Sequence, residues 1–540
     1  MQNNLHISTI FPVESLVSNQ YEVELNDIRM NHDNYTINST TNLSCGKFKS
    51  FTKFLKTMLK KYNCIDIETR GIERILSEER TDCKTINIAM MWFGANIIIP
   101  SFASGILGPA LFKLSLYESF VTIIFGTLLG IIPVAAIACF GPASGLRTMV
   151  YSRYSWGYYG ASIMSIFSII VALGWAAISS ITGAQTLRVV FNDSIPMAVG
   201  IVIISIISMI VSFVGYKWLH IYERYSWIPV FIAYCILAGV GATYFTSSTM
   251  VSINATTLNN SSRRRAQISR ILSFGATCFS ISSSWCTCAA DYNTYFSEDT
   301  SQLKIFFFTY IGNFLPMALL QLLGAAAYTG TYTNQDWNQA YEMNSVGGLL
   351  GASLLSLGVF GKFLLLLFAL STIGCNILNI YSLSLSGQVV GPIFKRIPRF
   401  LYTVVGTIIY ILLAIVAANK FNDSLTSLLS LTSYWSVIFV VIVVEEHLLF
   451  RRYSFKNYNF DIWNNRKSLS IGIAAILSGL VGAVGTALGM TQTWFTGSIA
   501  KAIAGDSGEQ GADVGLELGF VFTAVSFPLF RSVELYFFQK

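Results

Sequence analysis

The sequence predicts an all-α integral membrane protein with twelve transmembrane helices, on three observations. The first is composition: of 540 residues, 53% are hydrophobic and only 12% charged, whereas a soluble domain carries about 25% charged residues to wet its surface. The second is the number of apolar runs long enough to span a bilayer, each needing ~20 residues. The third is a pair of these runs, five apart, that are broken by Gly, Pro or Ser. Irregular backbone is tolerated at membrane depth only where it lines a cavity or is buried in protein, and such pairs mark inverted repeats.

Residues 1–85 form a polar tail, rich in Asn, Ser and Thr at its start, whose composition is that of a largely disordered segment. Met1 to Val17 lacks the pattern of a cleaved secretory signal, so the first span is expected to serve as the insertion signal. Within the tail, residues 46–61 place Phe48, Phe51, Phe54, Leu55, Met58 and Leu59 at helical spacing among lysines. That pattern suits a basic amphipathic helix lying on an anionic leaflet, or equally a solvated linker. The spans are then read at 86–111, 118–140, 160–187, 195–215, 226–246, 270–293, 304–328, 359–386, 399–418, 424–446, 468–490 and 515–531, bounded by charges and helix breakers.

These spans divide into a ten-helix core, 86–446, whose halves 86–246 and 270–446 are the expected inverted repeats. Two peripheral spans with their loops follow in 447–531, and 532–540 is the C-terminus. Positive charge gives the orientation. Arg147, Arg153, Lys217, Arg224, Lys395, Arg396, Arg399, Arg451, Arg452, Arg466 and Lys467 fall on one side, together with the lysine-rich tail. By the positive-inside rule both termini are cytoplasmic. Arg263, Arg264, Arg265 and Arg270 are a local exception on the outer side, where the sequons at Asn254 and Asn260 also fall. The tail sequons at Asn34, Asn38 and Asn42 are ascribed to its Asn-rich composition.

Little chain is left for a soluble catalytic domain, so transport is the leading function class, and the informative residues are polar ones at depth. The first span carries Gly94, Asn96, Pro100, Ser101 and Gly105. The sixth carries Gly275, Ser280, Ser282, Ser283, Ser284, Trp285, Thr287 and Asp291. In the eighth span Asn376 and Asn379, three apart, share one helical face. A carboxamide offers donors and an acceptor, the pairing by which Asn reads adenine in a duplex; interhelical hydrogen bonding is the alternative use. Trp175 in the third span and Trp285 in the sixth offer flat faces on which a planar base can stack or which simply pack. Asp291 is the best candidate for a functional intramembrane carboxylate. Glu118, Glu445 and Glu446 lie at span ends and read as interfacial.

Other classes lack support. The net charge of +7 is spread over tail and loops and forms no nucleic-acid-binding stripe. The nine cysteines lie mostly in apolar stretches, and the pair Cys286 and Cys288 has no nearby His, so neither a disulfide framework nor a metal site is expected. No nucleophile–base arrangement is visible, and no enzyme activity or cofactor is expected.

Several motifs, in order along the chain, resemble the fungal purine-cytosine permeases of the nucleobase-cation symporters. They are Glu68 to Arg74 with Glu78 to Thr81, Gly141-Pro142 with Gly145-Leu146-Arg147, Ser152-Arg153 with Gly157 to Gly160, Ala289 to Tyr292, Asn376 to Asn379 with Tyr381-Ser382, Tyr458 to Asp461, Gly489 to Thr493, and Asp513 to Leu518. The resemblance covers residues 65–540. It implies a LeuT-type fold, a five-plus-five inverted repeat plus two peripheral helices. It also implies proton-coupled uptake of cytosine and purine bases at the plasma membrane, with the proton as coupling ion and the bilayer as surroundings. By similarity Trp175, Trp285, Asn376 and Asn379 bind substrate, with Asn96 and Gly94 in the broken first helix, and Asp291 serves proton coupling. The chain departs from the family where Ser179, Cys375 and Leu378 replace the expected Asn, Asn and Pro, which leaves the preferred base open. Transport of another small heteroaromatic such as vitamin B6 is the nearest alternative, and a non-transporting nutrient sensor the next.

Overall fold

The computed structural model describes residues 71–213, 216–246 and 260–538, with backbone alone for 216–224. The basic segment 46–61, the rest of the tail before residue 71 and the sequons at Asn34, Asn38, Asn42 and Asn254 lie outside the described residues.

Each expected span coincides with a helical segment. Among the described residues, seven helical stretches are long and apolar enough to cross a membrane, and one of them, Arg399–Phe450, contains two helices, Arg399–Ala417 and Phe421–Glu445. The first span is a bent pair, Ile86–Asn96 and Ile99–Ala110, meeting at 59°. Met197–Ser212 and Ile473–Gly489 are shorter apolar helices, the fourth and eleventh spans. The sixth runs as Asn260–Ser283 and then as two 3-10 turns, Ser284–Thr287 and Ala289–Tyr292.

Local chemistry explains these elements. The second span, Leu116–Ala138, starts on a capping box in which Ser115 Oγ accepts from Glu118 N and Glu118 Oε2 accepts from Ser115 N at 2.8 Å. Glu118 is therefore a cap and not merely interfacial. Pro100 sits in the first turn of Ile99–Ala110, where its missing N–H is no loss, and Ser101 Oγ donates to the freed Asn96 carbonyl at 2.7 Å. The sixth helix starts about ten residues earlier than expected, because Arg263, Arg264 and Arg265 belong to the helix and not to the loop before it. The last helix, Gly515–Phe538, likewise runs on through the segment read as the C-terminal tail. Gln335–Leu354, between the seventh and eighth spans, is a helix that the hydropathy pattern did not announce.

Packing fixes the broken first span. A Cβ on Gly105 would lie 1.9 Å from the Gln321 carbonyl oxygen, and one on Gly324 2.0 Å from that of Phe102, so the first and seventh spans touch backbone to backbone. Close approach through small residues replaces the hydrophobic drive that lipid cannot supply. Gly105→Ala is therefore expected to destabilise the protein by ~1–3 kcal/mol. Gly239→Ala, where a Cβ would meet nothing within 4 Å, should not. Thermal unfolding of the two purified variants against wild type checks this, and equal midpoints would remove the constraint.

Residues 71–85, grouped with the tail by composition, are packed. Ile72 and Ile75 are buried, Ile75 N donates to Gly145 O at 2.9 Å, and Asp82 N to Tyr295 O at 3.0 Å. Arg80 donates to Pro142 O at 2.5 Å, and Arg74 pairs with Asp461 at 2.8 Å. The arginines of the tail motif thus tie three loops together at the end of the bundle that carries 141–152 and 446–472.

Glu446 is not interfacial. It is 1% exposed and bound by two nitrogens of the equally buried Arg531, at 2.9 and 3.0 Å. Arg531 also donates to Glu534 at 3.1 Å and Ser470 at 3.0 Å. Hydropathy averages hid this group, since each charge is diluted by apolar neighbours on its own helix.

Candidate functional site

The breaks in the first and sixth spans meet the third and eighth spans around one small cavity. Its lining includes Asn96 and Ser101 from the first span, Ser168, Ala172 and Trp175 from the third, Ser284, Trp285, Thr287 and Cys288 from the sixth, and Cys375, Asn379 and Ser382 from the eighth. Its volume is about 30 Å³, room for about one or two waters, so the conformation is closed around the site. No charged side chain lines it. The site is neutral and mostly apolar, with two tryptophans and several small polar side chains in its lining.

The two tryptophans differ in what they have left to offer. Trp285 Nε1 donates to Asn96 Oδ1 at 2.8 Å, and Asn96 Nδ2 donates in turn to Asn313 Oδ1 at 2.9 Å and Trp92 O at 2.7 Å. This chain locks the broken segments of the first and sixth spans to the seventh and fixes the Trp285 ring. Trp285 can therefore present a face but no donor. Trp175 also lines the cavity, and its Nε1 is buried without a partner among the described residues, a donor left uncommitted.

The two eighth-span asparagines also divide. Asn379 lines the cavity, with Nδ2 3.6 Å from Cys375 Sγ. Asn376, fully buried, lies outside the lining; its Nδ2 donates to Ser180 Oγ at 3.0 Å and its Oδ1 has no partner. Ser179 does not line the cavity either, but its Oγ is 4.0 Å from Cys375 Sγ. Two of the three positions where the chain departs from the family pattern, Ser179 and Cys375, are thus neighbours. Leu378 has a backbone role: its carbonyl accepts from Tyr292 OH at 3.1 Å.

Gly94 and Asp291 lie away from the cavity. Gly94 borders a separate small hollow with Trp227 of the fifth span and Ser371 and Gly374 of the eighth. Asp291, 3% exposed, sits one turn below the cavity, where its Oδ1 accepts from Thr148 N at 2.7 Å and Thr148 Oγ1 accepts from Ala290 N at 3.1 Å. Arg147 donates to the Asp291 carbonyl and lies over the ring of Tyr381, as does Arg399. Between this cluster and the cavity is an aromatic layer. Trp92 stands edge-on to both Trp285 and Tyr292, with ring centroids 5.5 Å apart in each pair.

Sequence reasoning named Ser284 and Thr287 among the polar residues of the sixth span without a role, and missed Ser168, Cys288 and Ser382 as cavity residues. All are small polar residues whose facing is set by how their helices are placed, and Cys288 directly follows the polar run Ser282–Thr287 that the sequence already displays.

Residues 75–497 match the family described as permease for cytosine/purines, uracil, thiamine, allantoin. The purine-cytosine permease fcyB of Emericella nidulans is 37% identical over 88% of this chain and 90% of its own length. The vitamin B6 transporter TPN1 of Saccharomyces cerevisiae is 30% identical over 93% and 94%. Among solved structures, Mhp1, a nucleobase-cation-symport-1 family transporter in a closed conformation with bromovinylhydantoin bound, superposes with a TM-score of 0.58 at 13% identity. The match covers 87% of this chain and 96% of that one. That likeness gives the fold: LeuT-type, ten core helices in two inverted repeats with two peripheral helices. The chain is a multi-pass membrane protein and belongs to the permease family for cytosine/purines, uracil, thiamine and allantoin.

Proposed function

We propose that the protein is a proton-coupled symporter that imports cytosine and purine bases across the plasma membrane by alternating access, with both termini cytoplasmic. One observation carries the reading: a neutral cavity at the two helix breaks, with the fixed face of Trp285, the unpaired donor of Trp175 and the carboxamide of Asn379 around it. A planar, uncharged base has two faces and an edge of alternating donors and acceptors. Stacking on an aromatic face is worth ~1–3 kcal/mol per base, and a carboxamide can pair the edge in two places. The names and identities of the purine-cytosine relatives support the same class. The closed cavity is too small for a base, so binding requires the third and eighth spans to part, and inward release requires the aromatic layer beneath to open. Lipid surrounds the spans, and catalysis is not part of this reading.

Asp291 gives the proton a place to act. As a carboxylate it accepts from Thr148 N and so holds loop 141–152 against the end of the sixth span. Protonation would weaken that acceptor and loosen the seal on the inner side. Asp291→Asn is accordingly expected to reduce pH-driven accumulation while leaving exchange of labelled for unlabelled base measurable. Accumulation with the pH dependence of wild type would remove Asp291 from coupling.

The test of the function is uptake of labelled cytosine, adenine and hypoxanthine in a yeast host lacking its own nucleobase permeases. Saturable uptake that is stronger at acidic pH and abolished by a protonophore is expected. Absence of uptake with the protein present at the plasma membrane, and inhibition by pyridoxine of any residual transport, would favour the vitamin B6 reading instead.

A further inference from the structure

On the far side of the sixth span from the cavity, two adjoining hollows of about 560 and 620 Å³ share Leu129, Phe279, Val437 and Phe520 as walls. Together they form one groove between the second, sixth, tenth and twelfth spans. Along the second span it runs from Val121 to Ala136, roughly 22 Å at 1.5 Å per residue, most of the ~30 Å hydrocarbon core. Leu129 and Phe520 are exposed, so the groove opens sideways to the bilayer.

Its lining is apolar apart from small hydroxyl, thiol and glycine positions and two carboxylates, Glu517 at one end and Glu445 at the other. No lysine or arginine lines either hollow. Glu445 Oε2 is buried without a hydrogen-bond partner among the described residues. Arg451 and Arg531 are both engaged by the neighbouring Glu446, which points about 100° away around the helix. An ionisable group at the edge of the hydrocarbon calls for a partner, and what reaches this one comes from the lipid phase.

We propose that the groove binds a phospholipid with a primary ammonium headgroup, phosphatidylethanolamine in chemical class, its acyl chain along Phe279 and Val437 and its ammonium on Glu445. Two acidic ends and no basic residue disfavour an anionic headgroup. An ion pair gains strength where apolar surroundings lower the local dielectric. The position gives the lipid a lever on transport: Ser283 and Cys286 face the groove, while Ser284, Trp285 and Thr287 of the same turns line the cavity. A chain lodged there props the broken segment from behind.

The experiment is native mass spectrometry of the full-length, delipidated protein titrated with phosphatidylethanolamine, its mono-, di- and trimethylated analogues, phosphatidylserine and phosphatidylglycerol. Retention of phosphatidylethanolamine about fivefold above phosphatidylcholine is expected, the ratio corresponding to about one hydrogen bond, since the trimethylated nitrogen keeps its charge but has no N–H to donate. It should fall with each added methyl, and phosphatidylglycerol should be weakest. Glu445→Gln should abolish the headgroup preference while leaving unselective binding, and Ala136→Phe, which fills the groove, should lower retention of every lipid. Equal retention of all headgroups by wild type overturns the proposal, as does an unchanged preference in Glu445→Gln. Because the readout is bound lipid, its failure is separate from any failure of the uptake assay.

Discussion

Asn379→Ala is expected to lower uptake of cytosine and adenine by roughly 10- to 100-fold at unchanged surface level, the equivalent of the ~1–3 kcal/mol that follows when a buried polar edge loses its partner. The side chain lines the cavity and has only the weak acceptor Cys375 Sγ beside it at 3.6 Å, so little inside the protein competes for it. The loss should fall on KM and the maximal rate together, since the carboxamide meets the base both when it binds and while the core rocks. Asn376→Ala provides the contrast. Its Nδ2 is committed to Ser180 Oγ, so its removal should act through the packing of the third and eighth spans and cost less. Uptake by Asn379→Ala within about twofold of wild type, at matched surface level, would remove Asn379 from the substrate site.

That contrast also marks where sequence reading stops. The shared face of Asn376 and Asn379 follows from helical spacing, but which of them reaches the cavity depends on how the eighth span is rotated against the third, and spacing does not carry that. Trp175 and Trp285 were legible as aromatic faces. That Trp285 is pinned by Asn96 while Trp175 keeps its donor depends on a hydrogen bond between residues 189 positions apart. The twelve spans were legible because each is an uninterrupted thermodynamic requirement of the bilayer. The helix Gln335–Leu354 was not, because it carries Asp336, Glu342 and several amides among its apolar residues. Asp291 was singled out as an acid at depth; in the fold it is buried and its bond to Thr148 makes it a tie between two elements and not a wall of the cavity. The departures at Ser179 and Cys375 read as separate losses of a carboxamide. In the fold they are neighbours, so a change at either is felt at both and at Asn379.

Arg531→Ala is expected to cost ~3–5 kcal/mol of stability, the loss typical of removing one partner from a buried ion pair. The guanidinium sits among two carboxylates: it bonds Glu446 through two nitrogens and Glu534 and the Ser470 hydroxyl through a third. Without it, Glu446 keeps only Arg451, which is partly exposed, and Glu534 is left buried near a like charge. Glu534 has a second task, accepting from Gly472 N at 3.2 Å and Ala474 N at 2.6 Å at the start of the eleventh span. Gly472 in turn lies so close to the third span that a Cβ on it would meet Trp156 O at 2.0 Å, beside the kink at Gly157. The cluster therefore holds the two peripheral spans to the core at the point where the third span bends. Arg531→Lys should recover only part of the loss, because an ammonium cannot reproduce the planar fork that meets Glu446 at two points. The double variant Arg531→Met with Glu446→Gln should melt above Arg531→Ala, because it removes the unpaired charge along with its partner. Thermal unfolding of the purified full-length proteins, followed by intrinsic fluorescence, reads all three. A midpoint for Arg531→Ala equal to that of wild type would show that the buried charges find other partners and that the peripheral helices are held by apolar packing alone.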